Sequence, residues 1–93
     1  MRKLNSHELP LVAYLFAAAG RSDDLSELVV EAMDDGGMGS LAISRDDPAL
    51  RFGRCVAQCE FLDADGVKVE AALNFDTADM PMEVDVWKVN FRR

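Results

Sequence analysis

One stretch decides the fold: residues 54–91, RCVAQCEFLDADGVKVEAALNFDTADMPMEVDVWKVNF. It holds three runs of alternating apolar and polar residues, separated by two connections rich in aspartate, which is the pattern of consecutive antiparallel strands. The first connection, Asp63-Ala64-Asp65-Gly66, suits a type I turn followed by a left-handed residue, a conformation that glycine adopts at little cost. We therefore predict a three-stranded antiparallel meander over this stretch.

The first hairpin of the meander has a well-specified register. If Asp63 faces Val67, eight apolar side chains fall on one face of the sheet. The pairs are Cys55 with Phe75, Ala57 with Leu73, Cys59 with Ala71, and Phe61 with Val69. A shift of one residue would place Gln58 and Glu60 among the apolar side chains instead, so the pattern favours this register alone.

The third strand, Glu83–Phe91, follows a seven-residue connection, Asp76–Met82. Pairing Phe75 with Glu83 sets Trp87 beside Ala71. On the opposite face the same register makes a row of Glu60, Glu70 and Lys88, in which the lysine offsets two facing carboxylates. This charge match agrees with a pairing that was chosen from the apolar residues.

The register of the third strand also produces a conflict, because it puts valines on the outer face and carboxylates on the core side. Either a bulge between Val86 and Trp87 reverses which side chains point to the core, or the outer face carries an apolar interface. The residues of that candidate interface are Val56, Ala72, Val84 and Val86, with Glu70 and Lys88 beside them.

The first half of the chain predicts cover for one face of the sheet. Asn5 and Glu8 form a capping box, and apolar residues at helical spacing follow up to Gly20. A second helix is predicted from the capping pair Asp24 and Glu27, with Leu25, Leu28, Val29 and Ala32 on its apolar side. A short strand around Leu41 and Ile43 completes the set. The expected fold class is α+β: two N-terminal helices packed on one face of a four-stranded antiparallel β-meander, in a single domain spanning residues 1–93.

The charge balance bears on the kind of partner. Lysine and arginine number 10 and aspartate and glutamate 17, a net charge of −7. This excess of negative charge disfavours binding to nucleic acid or to an anionic membrane surface, and it favours a basic protein. The predicted second helix presents an acidic side, Glu27, Glu31, Asp34 and Asp35, as a candidate face for such a partner. The same charge also serves solubility.

The sequence has few of the residues that usually bind metals or act as nucleophiles: one histidine and two cysteines. His7 is the single histidine and lies far in sequence from Cys55 and Cys59, so we expect no metal site, no cofactor and no catalytic residue. The two cysteines lie on the same face of the predicted strand, roughly 13 Å apart, beyond disulfide reach. Free cysteines and the lack of a convincing signal peptide or membrane-spanning run predict a cytoplasmic protein.

Several motifs together resemble a family of small bacterial proteins of unknown function. They are Asp63-x-Asp65-Gly66, Leu73-Asn74-Phe75-Asp76 and Glu83–Phe91, the last resembling a strand that reads Glu-Leu-Asp-Ile-Trp-Lys-Val-Asp-Phe in that family. The likeness extends weakly to the N-terminal helix and to Asp35–Ser40, and Asn90 departs from the commoner aspartate. The resemblance supports the boundaries of the domain and implies no activity.

Three functions stay open at this point. The leading hypothesis is a non-enzymatic interaction domain, an immunity-type or regulatory inhibitor of a basic protein. The alternative is a small-ligand-binding or catalytic module that uses Glu83, Asp85 and Trp87 at the end of the sheet. In the third, the apolar patch is a homodimer interface and the negative charge serves solubility alone.

Overall fold

A computed structural model describes residues 1–34, 39–44 and 51–88. Its elements are β1 (Arg2–Lys3), α1 (Leu9–Ala18), a 3₁₀ turn (Leu25–Glu27), β2 (Val29–Ala32), β3 (Leu41–Ile43), β4 (Phe52–Leu62), β5 (Lys68–Asp76) and β6 (Pro81–Lys88). The six strands form one antiparallel sheet in the order β1-β2-β3-β6-β5-β4. Within the described ranges, no helix is long and apolar enough to cross a bilayer.

The predicted fold class is wrong in both layers. The described residues form one α-helix instead of two, and the sheet has six strands instead of four. The predicted second helix is a single 3₁₀ turn, capped by Asp24, followed by β2. Val29 and Val30 are β-branched, and β2 finds partners on both sides, in β1 and in β3. Pairing on two sides outweighs a helical spacing that spans barely two turns.

The first helix is confirmed, with its capping box. The Asn5 side chain accepts hydrogen bonds from the backbone N–H groups of His7 and Glu8, each at 2.9 Å. The Glu8 carboxylate accepts in return from the Asn5 backbone N–H at 3.0 Å. Gly20, at φ 77°, ends the helix, and the backbone N–H of Arg21 reaches back to the Phe16 carbonyl at 2.9 Å.

The helix packs on one side of the sheet, which we call the core face. Its buried residues, Val12, Leu15 and Phe16, join one apolar cluster with side chains from five strands. The strand members are Val30, Leu41, Ile43, Ala57, Val69, Ala71, Leu73, Phe75, Val84 and Val86. The opposite side is the outer face. Burial of this cluster is the main favourable term for the fold.

The register of β4 with β5 is confirmed from Ala57 to Phe61 and fails beyond it. Ala57 pairs with Leu73, Cys59 with Ala71 and Phe61 with Val69, as predicted. A bulge between Cys55 and Ala57 then shifts the pairing, so that Cys55 faces Asn74 rather than Phe75. The two cysteines therefore lie on opposite faces of the sheet, and both are free thiols.

The predicted register of β6 is wrong by one residue. Phe75 pairs with Pro81, Asn74 with Glu83 and Ala71 with Val86, and an irregularity lies between Asn74 and Phe75. This shift turns Val84 and Val86 into the core, where they are 1% and 9% exposed. The conflict in the sequence is thus resolved by a register irregularity, but near Pro81 at the start of β6 and not between Val86 and Trp87. With Val84 and Val86 buried, the expected apolar patch on the outer face does not form. Residues 89–91, the predicted end of the strand, lie outside the described ranges.

The β5–β6 connection is a tight hairpin loop, and the irregularity in register follows directly after it. The loop's closing pairs alone would keep the valines on the outer face, so the irregularity is what turns them into the core. The backbone N–H of Asp76 donates to the Met80 carbonyl at 2.8 Å, and the Asp79 N–H donates to the Asp76 carbonyl at 2.9 Å. The Asp76 carboxylate also accepts from the N–H groups of Ala78 and Met80. The sequence was interpreted as a seven-residue connection, whereas only three residues separate the pair that closes the loop.

Candidate functional site

The residues predicted for a ligand site lie together on the outer face. Glu83, Asp85 and Trp87 alternate along β6 with the buried valines, so their side chains all point away from α1. Their partners on β5 are Asn74, Ala72 and Glu70, in that order. The register shift that buried the valines therefore also moved both carboxylates from the predicted core side to the outer face.

Asn74 is the centre of this arrangement. Its side-chain amide nitrogen donates to a carboxylate oxygen of Glu83 at 2.9 Å and to one of Asp85 at 3.0 Å. Asn74 is only 5% exposed, whereas both acids are half-buried. Each proton of the amide thus bonds to one carboxylate, which holds the two acids side by side.

Acidic residues continue across the outer face on the other strands. Glu31 on β2 and Glu83 on β6 flank Ala42 of β3 in one cross-strand row. Glu70 and Glu60 face each other on β5 and β4, and Lys68 lies 3.7 Å from Glu60. Lys68, and not Lys88, therefore supplies the cation beside this pair, because Lys88 lies in the next row, opposite Val69.

Lys88 instead forms an ion pair at the rim of the sheet. Its Nζ lies 2.9 Å from the Asp63 carboxylate. The hydrogen bond from Lys88, with two backbone N–H groups, lowers the pKa of Asp63 below its usual value, and Asp63 raises the pKa of Lys88. This pair stabilises the first hairpin loop beside Trp87.

The other predicted site residues do not come together. In the candidate interface, Val84 and Val86 lie in the core and Ala72 is buried, so these three do not form an exposed patch with Val56. In the candidate acidic helix face, Glu27 lies on the 3₁₀ turn, 3.6 Å from Lys3, and Glu31 lies in a strand. Asp34 follows that strand and is exposed, and Asp35 lies outside the described residues.

Sequence reasoning missed Asn74 as a partner of both acids. The signal was a single polar residue within the apolar run Ala71-Ala72-Leu73-Asn74-Phe75, which calls for a hydrogen-bonding partner when it is buried. It also missed a groove of about 650 Å³ between α1 and β4, lined by His7, Pro10, Leu11, Tyr14, Cys59, Glu60 and Phe61. This groove lies between the helix and the edge of the sheet, away from Glu83, Asp85 and Trp87, and Glu60 at that edge lines it as well.

The chemistry that the outer face supports is recognition of cations. The described part of the chain holds no group of three or more histidine, cysteine, aspartate or glutamate side chains placed to bind a metal ion. His7 lies beside the helix, so the acidic residues have no imidazole partner on their own face. Carboxylates beside a partly exposed indole suit an ammonium or guanidinium group, which gains a charge interaction and a cation–π contact.

Comparison with known proteins gives a family. A family described as a domain of unknown function, DUF6984, matches residues 1–93. The chain belongs to the DUF6984 family. No curated protein and no solved structure gave a significant match. The expectation of an uncharacterised domain family is thereby confirmed, and the DUF6984 match brings no activity with it.

Proposed function

We propose that this DUF6984 domain is a non-enzymatic interaction domain that binds a basic protein through the outer face of its sheet. The observation that carries the proposal is the placement of Glu83, Asp85 and Trp87 on one face, with α1 on the other. Net charge −7 adds long-range attraction for a basic partner. The specific form to test is an immunity-type or regulatory inhibitor in the bacterial cytoplasm, a setting that the two free thiols and the resemblance to bacterial proteins support.

The recognition step follows from the geometry. A lysine or arginine side chain of the partner would lie on the Trp87 ring and reach the carboxylates of Glu70 and Asp85, which neighbour the indole across the strands and along β6. Tryptophan is common among residues that dominate binding energy, and its removal typically costs 2 kcal/mol or more, about a 30-fold loss of affinity. Charges at the rim act mainly on the association rate and its salt dependence.

The test is affinity capture from a lysate of the native organism, with the wild-type domain and two variants as bait. We expect a basic protein that high salt releases. Trp87→Ala combined with Glu70→Gln should abolish its capture. The matched control, Tyr14→Ala with Asp65→Asn, removes an aromatic ring and a charge at other exposed positions and should retain it. A partner retained by the first variant, or no partner at all, would count against the proposal.

A second candidate function is binding of a small cationic ligand by the same residues. The observation that favours it is the Asn74 amide, which holds Glu83 and Asp85 at a fixed separation before any ligand arrives. A thermal-shift screen of polyamines and quaternary ammonium compounds tests it. A shift that is lost in Trp87→Ala would support the ligand site, and the lack of any shift would leave the protein partner as the better account.

A further inference from the structure

The free edge of the sheet is an unusual feature of this molecule. β4 is eleven residues long and ends the strand order, so among the described residues no strand pairs with its outer side. Three exposed large apolar side chains belong to this strand: Phe52 (53%), Phe61 (40%) and Leu62 (68%). An exposed, apolar edge strand invites pairing with another strand.

The hydrogen bonds of the first hairpin show which backbone groups of β4 face outward. The Asp63 N–H donates to the Val67 carbonyl at 3.0 Å, so this pair is a hydrogen-bonded one. Hydrogen-bonded pairs alternate along an antiparallel ladder, so Phe61, Cys59 and Ala57 also direct their N–H and C=O groups to β5. The backbone groups of Gln58, Glu60 and Leu62 therefore face the open side.

The bulges of β4 limit which part of the edge can accept a strand. The pairing with β5 is irregular between Phe52 and Ala57 and regular from there to Leu62. A twofold axis at Glu60 would set two glutamates against each other. A twofold axis at Gln58 would bring the bulged residue Val56 into the ladder. An axis at Phe61 would leave only residues 60–62 of the regular stretch paired. An axis at Cys59 pairs residues 57–61, all regular, and avoids both the facing glutamates and the bulge.

We propose that β4 pairs with β4 of a second copy of this chain, antiparallel, about a twofold axis at Cys59. Gln58 would face Glu60 of the second copy, each pair exchanging two backbone hydrogen bonds through the groups that face outward. The Gln58 side-chain amide would also lie beside a carboxylate rather than a like charge. On the core face Ala57 would lie opposite Phe61, so that a small side chain meets a large one.

The groove beside α1 gives independent support for a second copy as the occupant. It lies directly along the edge, between the helix and β4, and Tyr14 and Phe61 line it. A twofold axis perpendicular to the sheet places both helices on the same side of the joined sheet. The two grooves would then meet across the axis, and the exposed Tyr14 (58%) and Phe61 rings of both copies would be covered.

Cross-linking tests the arrangement, because the chain contains its own control. Cys59 would lie opposite Cys59 of the second copy in a non-hydrogen-bonded pair, with Cα atoms about 4.5 Å apart. Cys55 lies on the other face, beyond the bulge. A short bis-maleimide at mildly alkaline pH should link wild type and Cys55→Ser into a covalent dimer, and should leave Cys59→Ser monomeric. Burial raises the pKa of Cys59, which is why the alkaline condition is needed.

Charge variants at Gln58 test the register in solution without relying on a thiol. Gln58→Lys would face Glu60 and should tighten the dimer, whereas Gln58→Glu should weaken it, as measured by sedimentation equilibrium over a range of concentrations. Thr77 lies on the exposed turn between β5 and β6. Thr77→Lys and Thr77→Glu make the same changes in net charge there and should have much smaller effects. A monomer at every concentration, or cross-linking through Cys55 alone, would overturn the proposal.

Discussion

At the scale of single residues, the two tight hairpin loops share one hydrogen-bond pattern but have different residues at the left-handed position. In the first, the backbone N–H of Asp63 donates to the Val67 carbonyl, and the Asp63 carboxylate accepts from the N–H groups of Asp65 and Val67. Asp76 makes the equivalent bonds to Ala78 and Met80 in the second. The left-handed position is Gly66 (φ 79°) in one loop and Asp79 (φ 66°) in the other.

This difference predicts opposite effects of two reciprocal substitutions. Asp79→Gly relieves the cost of a left-handed conformation in a residue with a Cβ, so the free energy of unfolding should rise by up to about 1 kcal/mol. The Asp79 ion pair with Arg54, at 3.0 Å on an exposed surface, offsets little of this gain. Gly66→Asp should lower the free energy of unfolding by a similar amount. Urea denaturation measures both, and changes of equal sign would contradict the argument.

The same residue explains why the sequence does not predict the short β5–β6 loop. An aspartate, and not the expected glycine, stands at the left-handed position, so the sequence gives no glycine signal for a short loop at Asp79. The repeated pattern of an aspartate that caps its own turn, Asp63 and Asp76, was the available clue. The loop alone would pair Phe75 with Pro81. The irregularity between Asn74 and Phe75 is also needed to bring the valines onto the core face, and no residue pattern in the sequence indicates it.

At the scale of elements, the first helix was predictable because several local signals agree. Its apolar spacing and its terminal glycine agree on one helix, Leu9–Ala18, and the Asn5–Glu8 capping box forms in the turn that leads into it. The second predicted helix rested on a capping pair and on helical spacing, but the Asp24 cap begins only a 3₁₀ turn. A strand with partners on both sides uses Val30 equally well, and one of those partners, β1, comes from a distant part of the sequence. Information of that kind is not local, so pattern reasoning could not supply it.

The capping box also gives the helix a pH dependence. The hydrogen bond from Arg2 lowers the pKa of Glu8 below its ordinary value of 4.5, with the Asn5 N–H and nearby positive charge adding to the effect. A carboxylate with a lowered pKa stabilises the fold fully above that ordinary value. This contribution is lost as the pH falls through the lower folded pKa.

Glu8→Gln isolates this contribution, because glutamine can retain the bond to Asn5 but does not titrate. We expect the free energy of unfolding of wild type to fall more steeply on acidification below about pH 4.5 than that of the variant. Urea denaturation at a series of pH values measures the difference. The control is Glu31→Gln, which replaces an exposed carboxylate in β2 and should follow wild type. If the free energy of unfolding depends on pH in the same way in wild type and in Glu8→Gln, the titration of Glu8 does not contribute to stability.

At the scale of the whole molecule, the sheet has two unlike ends and two unlike faces. One end finishes in the two-residue strand β1, and the other in the long strand β4. One face is covered by α1, and the other carries the acidic residues and Trp87. The two proposals therefore assign different partners to the outer face and to the β4 edge, a basic protein and a second copy of the chain. Glu60 belongs to both surfaces, since it faces Glu70 on the outer face and would face Gln58 of the second copy at the edge.

Amide hydrogen exchange distinguishes the paired and unpaired states of the β4 edge along a single strand. In the monomer, the amides of Ala57, Cys59 and Phe61 donate to β5 and should exchange slowly, whereas those of Gln58 and Glu60 face solvent and should exchange fast. Raising the protein concentration should slow exchange at Gln58 and Glu60 and leave their neighbours nearly unchanged. Gln58→Glu, which weakens the proposed pairing, should keep Glu60 in fast exchange at the same concentration. The alternation of slow and fast exchange at low concentration follows from the β4–β5 ladder alone, so only the dependence on concentration reports on the second copy. If exchange at Gln58 and Glu60 does not depend on concentration, the β4 edge is unpaired in solution.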